Sequence, residues 1–218
     1  MEDQELFAAL AGRFIVFEGP DGSGKSTQFH RLAESCRDAG IVVEEVREPG
    51  GTDVGEKIRG ALLEHSDEEM SLRCEMLLYM ASRAQLVEQK IAPALLRGEL
   101  VLADRFVSST YAYQGSAGGL PIEDIEAVAQ IVLHHVQPEM VIIFDVDEKT
   151  ASKRINPLMD RMEAKGSEFH RRVRRGYHDL VDRFPDTHII VDARGNEQQV
   201  WTGLIDCLKA RIGAAGRA

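Results

Sequence analysis

One run of residues constrains this chain more than any other: Gly19-Pro-Asp-Gly-Ser-Gly24-Lys25-Ser26. It has the form G-x-x-x-x-G-K-[ST] and follows an apolar stretch at 14–17. It precedes a stretch in which Phe29, Leu32, Ala33 and Cys36 recur at helical spacing, with Gly40 placed to end the helix. The pattern is strand, glycine-rich turn, helix. Glycines let the turn curl so that its backbone N–H groups point inward at an anion, and the helix amino terminus adds partial positive charge. Lys25 is then placed to reach the β- and γ-phosphates of a bound nucleoside triphosphate. Ser26 offers a hard hydroxyl oxygen of the kind Mg²⁺ prefers. Gly19, Pro20, Asp21, Gly22, Ser23, Gly24 and Thr27 make up the rest of the predicted nucleotide-binding loop.

Four further apolar runs, at 41–46, 100–103, 140–144 and 188–191, alternate with segments of helical periodicity. With 14–17 they predict five buried strands. Leu72, Met76, Tyr79, Met80, Arg83 and Val87 share neighbouring faces of one long helix. Such alternation predicts an α/β fold: a five-stranded parallel sheet with helices on both faces, and ligands gathered at the carboxyl ends of the strands. No repeat or linker divides the chain, so 1–218 is expected to be one domain. The stretch 153–175 is charged and carries little apolar residue before Phe169, which predicts a mobile lid at about 153–168 feeding a helix.

A net charge of −10 disfavours a nucleic-acid backbone or an anionic membrane as partner, since either would be repelled at long range. Any phosphate must meet locally concentrated Lys and Arg. Cys36, Cys74 and Cys207 are far apart and form no C-x-x-C pair, which argues against a disulfide framework or a zinc site. The amino terminus is acidic and lacks the layout of a signal peptide, and no apolar run is long enough to span a bilayer. A cytoplasmic protein is expected.

Three classes share the loop: GTPase switches, motion-coupled ATPases and small-molecule kinases. A guanine-reading N-K-x-D is absent downstream of the loop. A small-molecule kinase needs a second set of anion-binding residues on other strand ends, and these are present. Arg47 opens Arg47-Glu-Pro-Gly-Gly-Thr52 after the second strand, Asp104-Arg105 follows the third, and Arg83 lies on the helix between them.

In order along the chain, GPDGSGKST, REPGGT, the Tyr79-x-x-x-Arg83 pair, Asp104-Arg-Phe106 and Ala112-Tyr-Gln-Gly115 resemble the thymidylate kinase family. The resemblance implies a P-loop kinase fold that uses Mg²⁺ and ATP to phosphorylate thymidine monophosphate (dTMP), commonly as a homodimer. It implies that Arg47 and Arg105 hold the acceptor phosphate and that Tyr79, where the family often has Phe, stacks on thymine. Arg83 would donate to a base carbonyl, Thr110 and Gln114 would lie near the base edge, and Tyr113 would crowd the 2′ position of the sugar. Asp21 resembles the acid that accepts from the 3′-hydroxyl, and Asp104 the strand-end carboxylate that holds Mg²⁺ with Ser26; Asp145 competes for that role. Glu18 is either structural or near the metal. Because Gly22 follows Asp21, the loop offers no cation but Lys25, so the basic group at the transferring phosphate must come from the lid. Arg154 resembles the residue against adenine, which leaves Arg161, in Asp160-Arg-Met-Glu163, as the clamp and Lys165 outside the family pattern. Lys25, Arg105 and Arg161 are thus the expected catalytic groups, acting electrostatically. His134 and His135 have no partner at metal-ligand spacing and are expected to be solvated or packed. The alternatives are another pyrimidine monophosphate kinase and a non-kinase P-loop ATPase.

Overall fold

The computed structural model describes residues 1–64, 69–154, 161–162 and 165–215. After a short helix α1 (Asp3–Ala8) the chain runs β1 (Phe14–Glu18), α2 (Lys25–Asp38), β2 (Val43–Arg47), α3 (Asp53–Leu63) and α4 (Leu72–Leu86). The last continues through a wide π-helical turn (Val87–Ile91) into α5 (Ala92–Leu96). Pro93 explains that turn: its ring nitrogen has no hydrogen to give, so the regular ladder cannot run through it. Then follow β3 (Leu100–Asp104), α6 (Val107–Thr110), a second π segment (Tyr111–Ala117), α7 (Ile122–Leu133), β4 (Met140–Asp145), α8 (Glu148–Ala151), α9 (Ser167–Arg183), β5 (His188–Asp192) and α10 (Glu197–Ala215).

The five strands form one parallel sheet in the order β2-β3-β1-β4-β5. Alternate residues of a strand face opposite sides, so covering both faces demands apolar residues at nearly every central position. β1 shows this directly: Phe14 and Val16 join one buried cluster, with Met76, Val101, Ile143 and Tyr177, while Ile15 and Phe17 join another, with Leu32, Leu102, Phe144 and Leu208. The expectation of five buried strands needs correcting at the edge: in β2 only Val46 is buried, because no strand lies beyond it.

The expected lid at about 153–168 lies partly outside the described residues, at 155–160 and 163–164. From Ser167, however, the chain is the helix α9, whose Phe169, Val173, Tyr177 and Leu180 are buried at helical spacing against the sheet. Its charged residues belong to the outer face.

Parallel order brings three chain segments out at one rim. In register, Phe17 of β1 and Arg47 of β2 both pair with Asp104 of β3, so the turns after all three strands leave the sheet side by side. The first turn is the glycine-rich loop. Gly19 has φ +139°, and a Cβ there would lie 2.6 Å from the carbonyl oxygen of Phe144. Gly19→Ala should therefore lower the urea midpoint by far more than Gly40→Ala, whose φ of +82° is also left-handed but whose Cβ would meet nothing within 4 Å. The latter should cost only the left-handed penalty of about 1–2 kcal/mol. Equal midpoints for the two variants would show that the loop is not held against β4 as described.

Candidate active site

Gly24, in the left-handed region, caps α2, so Lys25 and Ser26 enter the helix at its positive end. Lys25 is buried, and its Nζ lies 3.2 Å from Asp104 Oδ1. The Ser26 hydroxyl donates to Asp104 Oδ2 at 3.3 Å. The loop after β1 and the end of β3 are thus joined at their charged residues. Asp104 Oδ1 is buried and accepts no hydrogen bond, although it faces the Lys25 cation.

Two cavities open on this point, and Lys25 lines both. One, of about 460 Å³, lies over the loop residues Gly22 to Gln28 and is closed by Arg154 and the turn after β5. Arg154 is fixed there by donating to the carbonyls of Ala193 (2.9 Å) and Gly195 (3.1 Å). Ser23 Oγ, buried on this side, has no hydrogen-bond partner among the described residues. Thr27 also lines it, while Gly19 and Pro20 shape the loop from outside.

The other cavity, of about 240 Å³, lies between the three turns, α3, α4 and the second π segment. Asp21, Arg47, Tyr79, Arg105, Thr110, Tyr113 and Gln114, all expected at an acceptor site, line it together with Asp104, expected at the metal. Thr110, Tyr113 and Gln114 share a face because they are spaced i, i+3, i+4 on a helical segment. Arg105 has φ +72°, in the left-handed region that non-glycine residues seldom occupy, a strain found where function fixes the backbone. Its guanidinium donates to Asp21 Oδ1, Ser109 Oγ (3.1 Å) and Tyr177 Oη (3.2 Å) and lies over the Tyr113 ring. Tyr113 Oη donates to Asp21 Oδ2 at 3.2 Å. Burial would raise the Asp21 pKa, but Arg105 and Lys25 outweigh it and hold the carboxyl below its ordinary value. Arg47 grips Glu56 with bonds of 2.8 and 2.9 Å and donates to Pro49 O.

Glu18 proves structural. Fully buried, it accepts from the backbone N–H groups of Phe106 and Ser109 (both 2.9 Å), from Ser109 Oγ (2.7 Å) and from Tyr177 Oη (2.9 Å). It therefore fastens the Arg105 turn and α9 to the end of β1. Asp145 takes two 2.6 Å bonds from Arg174 and one from His178, and none of its hydrogen bonds among the described residues reaches Ser26. His134 and His135 are exposed.

Two expected residues stand elsewhere. Arg83 does not line the cavity but lies beneath it, 1% exposed, donating to Glu48 Oε2 (2.8 Å) and Thr110 Oγ1 (3.1 Å), which do line it. Burial pushes the Glu48 carboxyl up to about 7, against the pull of Arg83. Arg161 is not at the glycine-rich loop: it donates to the carbonyl of Leu62 (2.8 Å) and pairs with buried Glu75 (2.7 Å), which also receives Lys165. Sequence spacing could not reveal that the buried acid Glu75 pairs with Arg161. Glu48, Arg59 and Met162 also line the cavity; only Glu48, inside the REPGGT motif, carried any sequence signal.

The comparisons agree with this geometry. The thymidylate kinase family model matches residues 17–202. A thymidylate kinase of Thermoanaerobacter sp. (strain X514) is 44% identical over 92% of this chain and 98% of its own length. One from Exiguobacterium sp. (strain ATCC BAA-1283 / AT1b) is 39% identical over 95% and 99%. The crystal structure of thymidylate kinase from Ehrlichia chaffeensis superposes with a TM-score of 0.73 at 32% identity, covering 90% of this chain and 98% of that one. With two cavities meeting at one lysine and a match along most of its length, the chain belongs to the thymidylate kinase family of ATP-dependent nucleoside monophosphate kinases.

Proposed function

We propose that ATP occupies the cavity over the glycine-rich loop, that dTMP occupies the cavity between the three turns, and that the two meet at Lys25. The observation that carries this reading is the shared wall: Lys25 lines both cavities. A phosphate monoester is largely dianionic near neutral pH, so an acceptor oxygen attacks the γ-phosphorus without a protein base while the bond to the β-bridging oxygen breaks and ADP leaves. The protein has to align two polyanions and neutralise charge in the transition state. Lys25 does this from the centre. Arg105 and Arg47 hold the acceptor phosphate; the three bonds Arg105 already makes leave further guanidinium donors for it.

Ser26 and Asp104 fit Mg²⁺, because a hydroxyl and a carboxylate oxygen without a hydrogen bond stand together beside the loop, and both are hard oxygen donors. When bound, the ion would neutralise charge on the β- and γ-phosphates. The unpartnered Ser23 hydroxyl fits a phosphate oxygen on the same side. Arg154, pinned against the turn after β5, forms the adenine wall. In the acceptor cavity Tyr79 stacks on the base, Thr110 and Gln114 meet its edge, and Arg83 acts from below through Thr110 and Glu48. Arg161 and Lys165 pair with Glu75 of α4, and Arg161 would reach the phosphates only by leaving Glu75.

We place 1–218 as one kinase domain in the cytoplasm, in keeping with three free cysteines and with no described helix long and apolar enough to cross a membrane. A homodimer is supported by exposed Val54, Leu77 and Ile131, which stand on α3, α4 and α7. Leu77→Lys with Ile131→Lys should convert a dimer to a monomer in sedimentation velocity. A wild-type monomer at micromolar concentration would end that proposal.

The reading as a whole is tested by coupled ADP-release assays over a panel of monophosphates. dTMP should give the highest kcat/KM, with ribose analogues poor because Tyr113 crowds the cavity. A purine monophosphate that outperforms dTMP would overturn the acceptor assignment.

A further inference from the structure

Glu75 lies in the first turn of α4 and is 1% exposed. A carboxylate so placed is costly unless its oxygens are fully engaged. They are: Gln114 Nε2 donates to Oε1 at 2.8 Å, Lys165 Nζ lies 3.2 Å from both oxygens, and Arg161 pairs with Oε2 at 2.7 Å. Burial pulls the Glu75 pKa upward, but the Gln114 bond and the two cations outweigh it and hold the carboxyl below its ordinary value. The group is therefore ionised and can only accept hydrogen bonds.

That fixes Gln114. Of its two nearly isosteric ends, only the NH₂ can face an ionised carboxylate; the flipped amide would set oxygen against oxygen. With its hydrogens turned to Glu75, the side chain keeps its carbonyl oxygen for whatever occupies the cavity that Gln114 lines with Tyr79 and Thr110. A fixed acceptor suits a pyrimidine whose ring nitrogen at position three carries a hydrogen, as in thymine or uracil. Cytosine presents a lone pair there. A buried acceptor facing an acceptor leaves both unsatisfied, and sites built to pair with an N–H reject analogues that lack it.

We infer that Glu75 is a positioning residue for base selection: by holding the Gln114 amide in one orientation, it makes the acceptor cavity select pyrimidines that offer a ring N–H. The inference rests on the acceptor reading above. Arg161 and Lys165 keep the anchor charged, so these two cations contribute to selecting the base.

The test is kcat/KM for dTMP and for dCMP with the full chain, wild type against Glu75→Gln. A neutral amide at 75 can donate as well as accept, which frees Gln114 to flip. The dTMP/dCMP ratio should fall by about tenfold or more while the ATP KM changes little. In a double-mutant cycle with Gln114→Met the effects on the ratio should be non-additive, because both act through one amide. Should Glu75→Gln not fold, Glu75→Asp, which keeps the charge but withdraws it from Gln114, should lower the ratio too. An unchanged ratio with dTMP still preferred, whatever the loss of overall rate or stability, would overturn the inference alone. A wild-type preference for purine monophosphates would instead overturn the acceptor reading on which it stands.

Discussion

The buried carboxylate of Glu18 is the point on which the rest of the site depends. It closes β1, the central strand, and its four hydrogen bonds reach the turn after β3 and the middle of α9. The left-handed Arg105 gives its own N–H to Phe17 O (2.9 Å), and Glu18 secures the turn that follows by accepting from the N–H groups of Phe106 and Ser109. Glu18 thereby sets where Arg105 points, and Arg105 in turn holds Asp21 of the glycine-rich loop. One interaction relates the two phosphate sites.

A second regularity runs through the acceptor cavity. Five cations in and around it are held by acids: Arg105 by Asp21, Arg47 by Glu56, Arg83 by Glu48, Arg161 and Lys165 by Glu75. In a chain with net charge −10, these pairs keep the local positive groups oriented without leaving them unsatisfied when no substrate is bound. Deep pairs such as Glu48–Arg83 shape the base end of the cavity. Shallower ones, such as Arg47–Glu56, stand where a phosphate can share the guanidinium. Burial thus separates residues that build the site from residues that touch the ligand.

Much of this was legible in the sequence. The five strands, their helices and the glycine-rich loop follow from apolar periodicity and turn chemistry, which are local. The convergence of Arg47, Asp104 and Arg105 follows from the rule that parallel strands present ligand-binding turns at one end. What could not be read depends on partners far apart in the chain. Glu18 meets Ser109 and Tyr177 across separations of 91 and 159 residues, and nothing near Glu18 marks it. Arg83 was placed on the correct helix, but spacing alone cannot tell a cavity wall from the layer beneath it. Arg161 was assigned to the phosphates because Arg154 resembled the residue against adenine and Lys165 lay outside the family pattern; its pairing with Glu75 could not be read, because Glu75 sits on an apolar helix face where no ionised residue is expected. A helix after the charged stretch was expected, but its extent was not legible, because Arg and His crowd the outer face of α9 while the buried stripe begins only at Phe169.

The central claim is that one lysine joins a donor site to an acceptor site, so that the phosphoryl group passes between two bound nucleotides and not to water. Phosphorus NMR of the protein with Mg-ATP and dTMP in equal amounts follows the fate of the γ-phosphate directly. The account predicts that its signal is replaced by the β-phosphate of dTDP, with little inorganic phosphate, and that Lys25→Ala slows this by at least about a hundredfold. Inorganic phosphate formed at the same rate with and without dTMP would contradict it.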